Sequence, residues 1–321
     1  MTVLISPDAK IALLRHELLA KPKSPMLLRR LAEAFAEKGE MQKAAEVFRR
    51  SQLLQPFSWI GRPGVDPQNQ RDEALGMIKH GAIFSSTIAA LAIGEARLGH
   101  TEEVQKLVDY DRFFRDVMLE PPSGLTRVDF NAALATEIKS DLTFFGEPKV
   151  LATRYAWRNN AIMCSKHPSC IAFTTAIRQE VERYILDLPK SSGHPFLDSC
   201  PADFVVDGWA VLSDGASYFE SHIHTRAWVS GVYYVAEPST SQEPGSDRGW
   251  LHVGPPEELG VSTEQGWAKR SIAPVAGRLV LMPAYFYHHT RPMGVDEERI
   301  SIAIDVVPAE LAPANPTIAD H

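Results

Sequence analysis

The chain has 321 residues, enough for about two domains. Its 45% hydrophobic and 23% charged residues are those of a soluble globular protein. A net charge of −7 gives no electrostatic support for a nucleic-acid partner, and no apolar run is long enough to span a membrane.

The first residues, Met-Thr-Val-Leu-Ile-Ser-Pro, lack the basic start and apolar core of a secretion signal, so the expected location is the cytoplasm. Three cysteines (Cys164, Cys170 and Cys200) argue against a disulfide framework, and no Cys-x-x-Cys pair is present for zinc.

Residues 8 to about 120 read as helices. Ser24-Pro25 supplies an N-cap followed by a first-turn proline. From there Leu31, Ala32, Phe35, Gly39, Ala44, Phe48 and Pro56 follow a 34-residue tetratricopeptide pattern. Small residues let the two helices approach and the aromatics fill the seam. After a loop over 55–67, residues 86–97 form an amphipathic helix, and Gly99-His-Thr101 ends it and caps the next. One repeat cannot bury its own face, so neighbours are required. Two readings of this front end follow: a groove for a protein partner, or a cap that packs on the next domain or mediates homodimerisation.

Pro121-Pro122-Ser-Gly124 reads as the domain boundary, dividing the chain into 1–120 and 121–321. A short helix follows from Asp129. Residues 173–188 form a second helix with Ile177, Val181, Tyr184, Ile185 and Leu188 on one face, expected to pack beneath the following strands. Strands begin at 204, and Asp214-Gly215 reads as a turn into the next strand, 221–235. That strand is Ser-His-Ile-His-Thr-Arg-Ala-Trp-Val-Ser-Gly-Val-Tyr-Tyr-Val. Alternation puts His222 and His224 on one face, with Arg226, Trp228 and Tyr234 on the same side while the strand stays regular. Residues 237–272 read as a polar insertion around a short strand, 249–253. A buried strand over 277–282 leads to His288-His289, a turn at Pro292-Met-Gly294, and an alternating strand with Arg299 and Ser301 on one face. His289 points away from His288 in extended chain.

The ordered motifs His-x-His, Trp-x-Ser-Gly-Val-Tyr-Tyr-Val, Gly-Arg-Leu-Val-Leu, Tyr-Phe-Tyr-His-His-Thr-x-Pro and Glu-Arg-Ile-Ser-Ile-Ala resemble the bacterial 2-oxoglutarate/Fe(II) oxygenases that often carry tetratricopeptide repeats. The resemblance spans roughly 125–308. It implies an α+β chain: a helical tetratricopeptide-like region, then a double-stranded β-helix (jelly-roll, cupin-like) barrel. It also implies Fe(II), 2-oxoglutarate and O2 as cofactor and co-substrates. The implied iron ligands are His222, His224 and His288. Arg299 would bind the distal carboxylate of 2-oxoglutarate, Ser301 would hydrogen-bond beside it, and Tyr234 would contact it. Arg226 and Trp228 would touch the primary substrate.

One departure stands out. The wider superfamily places a carboxylate where this chain has His224. Glu220 as a ligand, or a two-His site with an open position, therefore stay open as alternatives. The implied reaction is hydroxylation of an unactivated C–H bond on a peptide, a protein or a small amino-acid-like metabolite. Two other classes remain: a three-His dioxygenase that uses a thiol substrate and no 2-oxoglutarate, and a non-catalytic metal-binding cupin.

Overall fold

The computed structural model describes residues 5–55, 65–140, 153–160, 162–190, 193–239, 245–295 and 297–312. Residues 1–4, Pro56 with the loop over 56–64, and residues 240–244 of the polar insertion lie outside the described residues.

Among the described residues, the chain opens with the helices α1 (Pro7–Ala20), α2 (Pro25–Glu37), α3 (Met41–Leu54), α4 (Pro67–Lys79), α5 (Ser85–Arg97), α6 (Thr101–Leu107) and α7 (Tyr110–Phe113). Ser24 caps α2 by accepting the Leu27 N–H at 3.4 Å, with Pro25 in the first turn. Gly39, at φ +82°, ends α2 in the left-handed conformation, and the N–H groups of Gly39 and Glu40 close back on Ala36 and Phe35. Gly99 ends α5 in the same way. The sequence pattern makes α5 amphipathic, yet every residue from Ser85 to Ala96 is buried. Its small residues allow this. A Cβ at Gly94 would lie 3.0 Å from the Arg71 backbone of α4, so α5 is packed on all sides.

The stretch expected to be helical up to 120 contains β1 (Arg115–Met118), which pairs antiparallel with Arg278–Leu281 at the edge of the main sheet. Then come α8 (Arg127–Ser140), β2 (Thr153–Asn159), α9 (Pro168–Asp187) and α10 (Pro195–Asp198). The Glu137 carboxylate of α8 accepts the Ser169 and Cys170 N–H groups, capping α9. As the periodicity predicts, Phe173, Ile177, Val181 and Tyr184 of α9 are buried. Phe173 lies 5.0 Å from the ring of Tyr233.

The remaining strands are β3 (Phe204–Phe219), β4 (Val229–Ala236), β5 (Leu251–Val253), β6 (Arg270–Ile272), β7 (Arg278–Pro283), β8 (His288–Thr290) and β9 (Arg299–Pro308). They form two antiparallel sheets, ordered β1-β7-β4-β9-β3-β2 and β6-β5-β8. This helical front followed by an antiparallel two-sheet domain agrees with the expected α+β class.

Two strand expectations change. Asp214-Gly215 is not a turn between strands, because β3 runs through it. The Asp214 carboxylate accepts the Ala216 and Ser217 N–H groups, so the strand bulges between Ser213 and Tyr218 in its pairing with β2. Gly215 is required there, since a Cβ would lie 2.1 Å from the Val295 carbonyl oxygen. The second change concerns 221–235. Only Val229–Ala236 is regular strand, and it belongs to the large sheet. His222 instead bridges to His288 of the small sheet. The chain crosses from one sheet to the other between them, and strict alternation is lost. Among the described residues, no helix is long and apolar enough to cross a membrane.

Candidate functional site

A cleft lies between the sheets. Trp209 and Val211 from β3, Tyr234 from β4, and Arg299, Ser301 and Ala303 from β9 line one wall. Leu251, His288 and Thr290 of the small sheet face them, with His222 and His224 from the crossing segment.

His222, His224 and His288 meet here. Their ring centroids are 4.4 to 5.2 Å apart, and their ligand atoms all lie within 4.8 Å of one another. The backbone brings them together. His222 and His288 exchange two N–H···O bonds of 3.1 Å, and the His224 N–H donates to the Ala284 carbonyl at 3.0 Å. Each imidazole faces an oxygen acceptor with Nδ1. His222 faces the Glu220 carbonyl at 2.7 Å, His288 the Phe286 carbonyl at 2.9 Å, and His224 the Asp305 carboxylate at 2.5 Å. An oxygen acceptor fixes the proton on Nδ1 and leaves each Nε2 lone pair free. Burial and the neighbouring His224 push His222 down to about 4, and burial with His222 and His224 holds His288 well below the usual histidine range. Both are neutral near pH 7. Three bare imidazole nitrogens converging in a cleft fit a divalent transition metal such as iron.

Glu220 enters this arrangement through its backbone carbonyl and is not one of the three converging groups. Asp305 is the residue the sequence reading missed. Its carboxylate is almost fully buried behind His224. The signal was present, because Arg299, Ser301, Ala303 and Asp305 alternate along one face of β9. Trp209 was missed as well. Its ring stacks on His224 at 5.9 Å and 16°.

At the other end of the cleft, Arg299 is 1% exposed. It donates to the Gly249 carbonyl at 2.6 Å and to Ser213 Oγ at 3.2 Å, while its Nε has no hydrogen-bond partner among the described residues. The two nearby acids are engaged elsewhere: Glu297 with Ser239, and Glu298 with Lys139. Burial draws the guanidinium below its ordinary range. A buried cation held by two neutral oxygens is a site for an anion. Ser301 and Tyr234 sit opposite each other in the β4–β9 register and both line the cleft. Burial pushes the Tyr234 hydroxyl up to about 12, so it stays protonated.

Two expected substrate contacts do not reach the cleft. Trp228 is buried in the core, stacked on Phe196 at 4.8 Å and donating Nε1 to the Phe196 carbonyl at 2.9 Å. Arg226 is not among the lining residues. Both were placed by extending a regular strand through the segment where the chain changes sheets. His289 turns outward and stacks on His252, away from the three converging rings.

Residues 207–305 match the model of a family described as "Putative 2OG-Fe(II) oxygenase". No curated protein matches the chain. Similar solved structures include a Pseudomonas putida prolyl-4-hydroxylase, 18% identical, with a TM-score of 0.43 over 66% of this chain and 98% of that one. Another is the epimerase SnoN from nogalamycin biosynthesis, 15% identical, TM-score 0.43, covering 67% and 83%. A third is HygX from Streptomyces hygroscopicus with nickel and 2-oxoglutarate bound, 13% identical, TM-score 0.40, covering 64% and 87%. The matched segment contains all three converging histidines, Arg299, Ser301 and Asp305. The match spans less than half of the chain, and it supports an oxidoreductase enzyme with Fe(II), 2-oxoglutarate and O2 as cofactor and co-substrates.

Proposed function

We propose that this chain is a dioxygenase that hydroxylates an unactivated C–H bond of a peptide or protein side chain, or of a small amino-acid-like metabolite. When bound, iron and 2-oxoglutarate supply the oxidising chemistry, with succinate and CO2 as co-products. His222, His224 and His288 hold the metal through Nε2, each kept in that tautomer by its Nδ1 partner. Asp305 puts a negative charge behind His224, offsetting part of the metal charge that three neutral ligands leave unmet. Arg299 takes the distal carboxylate of 2-oxoglutarate, with Ser301 hydrogen-bonding beside it and the Tyr234 hydroxyl available as a further donor. Val211, Phe219 and Leu251 keep water from the reacting carbon.

In the same reading the two sheets form a jelly-roll barrel over 121–321. The helices of 1–120 form a degenerate tetratricopeptide-like unit, a surface for a protein substrate, a partner or a second copy, in a cytoplasmic protein.

The observation that carries this reading is Arg299: a buried guanidinium with no carboxylate partner among the described residues, in the same cleft as three free imidazole nitrogens. The test is an anaerobic titration with Fe(II) and then 2-oxoglutarate, following the visible metal-to-ligand charge-transfer band. The band forms in the wild type, is lost in His288→Ala, and needs far more 2-oxoglutarate in Arg299→Ala. The all-imidazole donor set also suits an iron dioxygenase whose thiol substrate chelates the metal directly. Iron binding without a band, together with O2 uptake driven by a thiol alone, would replace the first reading with that one.

A further inference from the structure

The metal-binding segments are held from outside the two-sheet domain. Between His224 and the start of β4 the chain changes sheets, and its polar groups need partners there. The Ala227 carbonyl finds one in the helical front end: Ser85 Oγ, in the first turn of α5, donates to it at 2.6 Å, and both residues are buried. The Ser85 hydroxyl is free for this because another residue completes the helix start. Thr87 Oγ1 accepts the Phe84 N–H and donates to the Ala82 carbonyl. Residues 284–288 are held in a similar way. The buried Tyr285 hydroxyl donates to the Leu107 carbonyl at the end of α6. The Phe286 ring lies against Tyr110 and Phe114, and its carbonyl accepts from His288 Nδ1. Ala284 in turn receives the His224 N–H.

We infer that the helical front end is a built-in part of the metal centre, and that Ser85 is a positioning residue for the segment carrying His222 and His224. Its hydroxyl fixes the Ala227 carbonyl three residues after His224. That fixes the path on which His224 bonds to Ala284 and His222 bridges to His288. The front end is then no detachable adaptor: its α5 helix sets the geometry in which the three imidazoles meet. The inference rests on the three-His centre proposed above.

Co(II), bound to the full-length protein, tests it through a visible d–d spectrum and an affinity from chelator competition. Ser85→Ala should weaken Co(II) binding by about fivefold or more, the scale of one net buried hydrogen bond, and should alter the spectrum. Ser85→Thr should restore both. Ser51→Ala is the stability-matched control, because it removes a buried hydroxyl bond internal to α3, to the Phe48 carbonyl. It should bind Co(II) with wild-type affinity and spectrum. A wild-type affinity and spectrum in Ser85→Ala, or equal losses in Ser51→Ala, would overturn the inference. Should Ser85→Ala not fold, hydrogen exchange on the wild type decides. Co(II) should slow exchange at the Thr87 and Ile88 amides together with 222–228. Slowing confined to 222–228 would overturn the inference. A wild type that binds no Co(II) would overturn the three-His centre itself, and this inference with it.

Discussion

The seam between helices and sheets and the cleft between the sheets both bury polar groups, but they use them differently. In the seam, Ser85, Tyr285 and Trp228 each donate to a carbonyl, and both ring nitrogens of His194 are engaged, at the Lys106 carbonyl and the Phe196 N–H. In the cleft, each imidazole satisfies one nitrogen and leaves the other open, and Arg299 carries a charge with no counter-ion among the described residues. An unsatisfied buried group costs stability. These four seam groups are satisfied within the fold and act as scaffold, whereas the cleft keeps a buried cation and three imidazole nitrogens together for a ligand to complete.

The largest expected effect breaks this contrast at Arg299. Arg299→Met removes an uncompensated buried charge and keeps most of the side-chain volume. The free protein should melt at or above the wild-type temperature. Its affinity for 2-oxoglutarate should fall by about 100-fold or more, the scale of losing one partner of a buried charge pair. Thermal melts with Co(II), with and without 2-oxoglutarate, read both quantities. A clearly lower melting temperature without ligand would mean that the guanidinium is already satisfied, and the contrast would collapse.

A smaller effect is expected at Asp305. Asp305→Asn keeps an oxygen acceptor for His224 Nδ1 and removes only the charge. Metal affinity should drop about 10- to 100-fold, as for other carboxylates behind a ligating histidine. Chelator competition with Co(II) measures it. Unchanged affinity would leave Asp305 with orientation as its only role, and the neutral donor set would carry the metal charge alone.

The cleft was more legible in the sequence than the seam. His222, His224, His288, Arg299 and Ser301 stand in motifs whose alternation aims them at one face, and the structure brings all five to one cleft. Asp305 was legible by the same alternation, two and four positions beyond Ala303 and Ser301 on the same face of β9. Trp228 and Arg226 were misplaced because period-two reasoning holds only while a strand stays in one sheet, and 222–228 crosses between two. The seam left no local signal at all. Nothing near Ser85 in sequence indicates Ala227, 142 residues away. The burial of α5 on every side follows from what packs around it, so its own amphipathic pattern points to only one buried face.

The smallest effect tests whether the seam is as closed as its hydrogen bonds suggest. His194 is buried against Phe113, with ring centroids 4.8 Å apart. It receives the Phe196 N–H on Nδ1, so Nδ1 must be unprotonated, and Nε2 donates to the Lys106 carbonyl. Burial holds its pKa below the ordinary value of 6.5. Arg112 acts in the same direction, while the Lys106 carbonyl, Asp198 and Asp109 oppose it. Below pH 6.5 the unfolded chain therefore binds a proton that the folded chain refuses. The contribution of His194 to stability is complete above 6.5 and is lost as pH falls to its folded pKa. His194→Asn can accept and donate as the neutral ring does but does not titrate. The variant should melt lower than the wild type at pH 8, with a difference that narrows as the pH falls below 6.5. The remaining histidines titrate alike in both proteins, so they cancel from that difference. A gap that stays constant with pH would mean that His194 holds its proton freely in the folded protein and that the seam is looser than the cleft it supports.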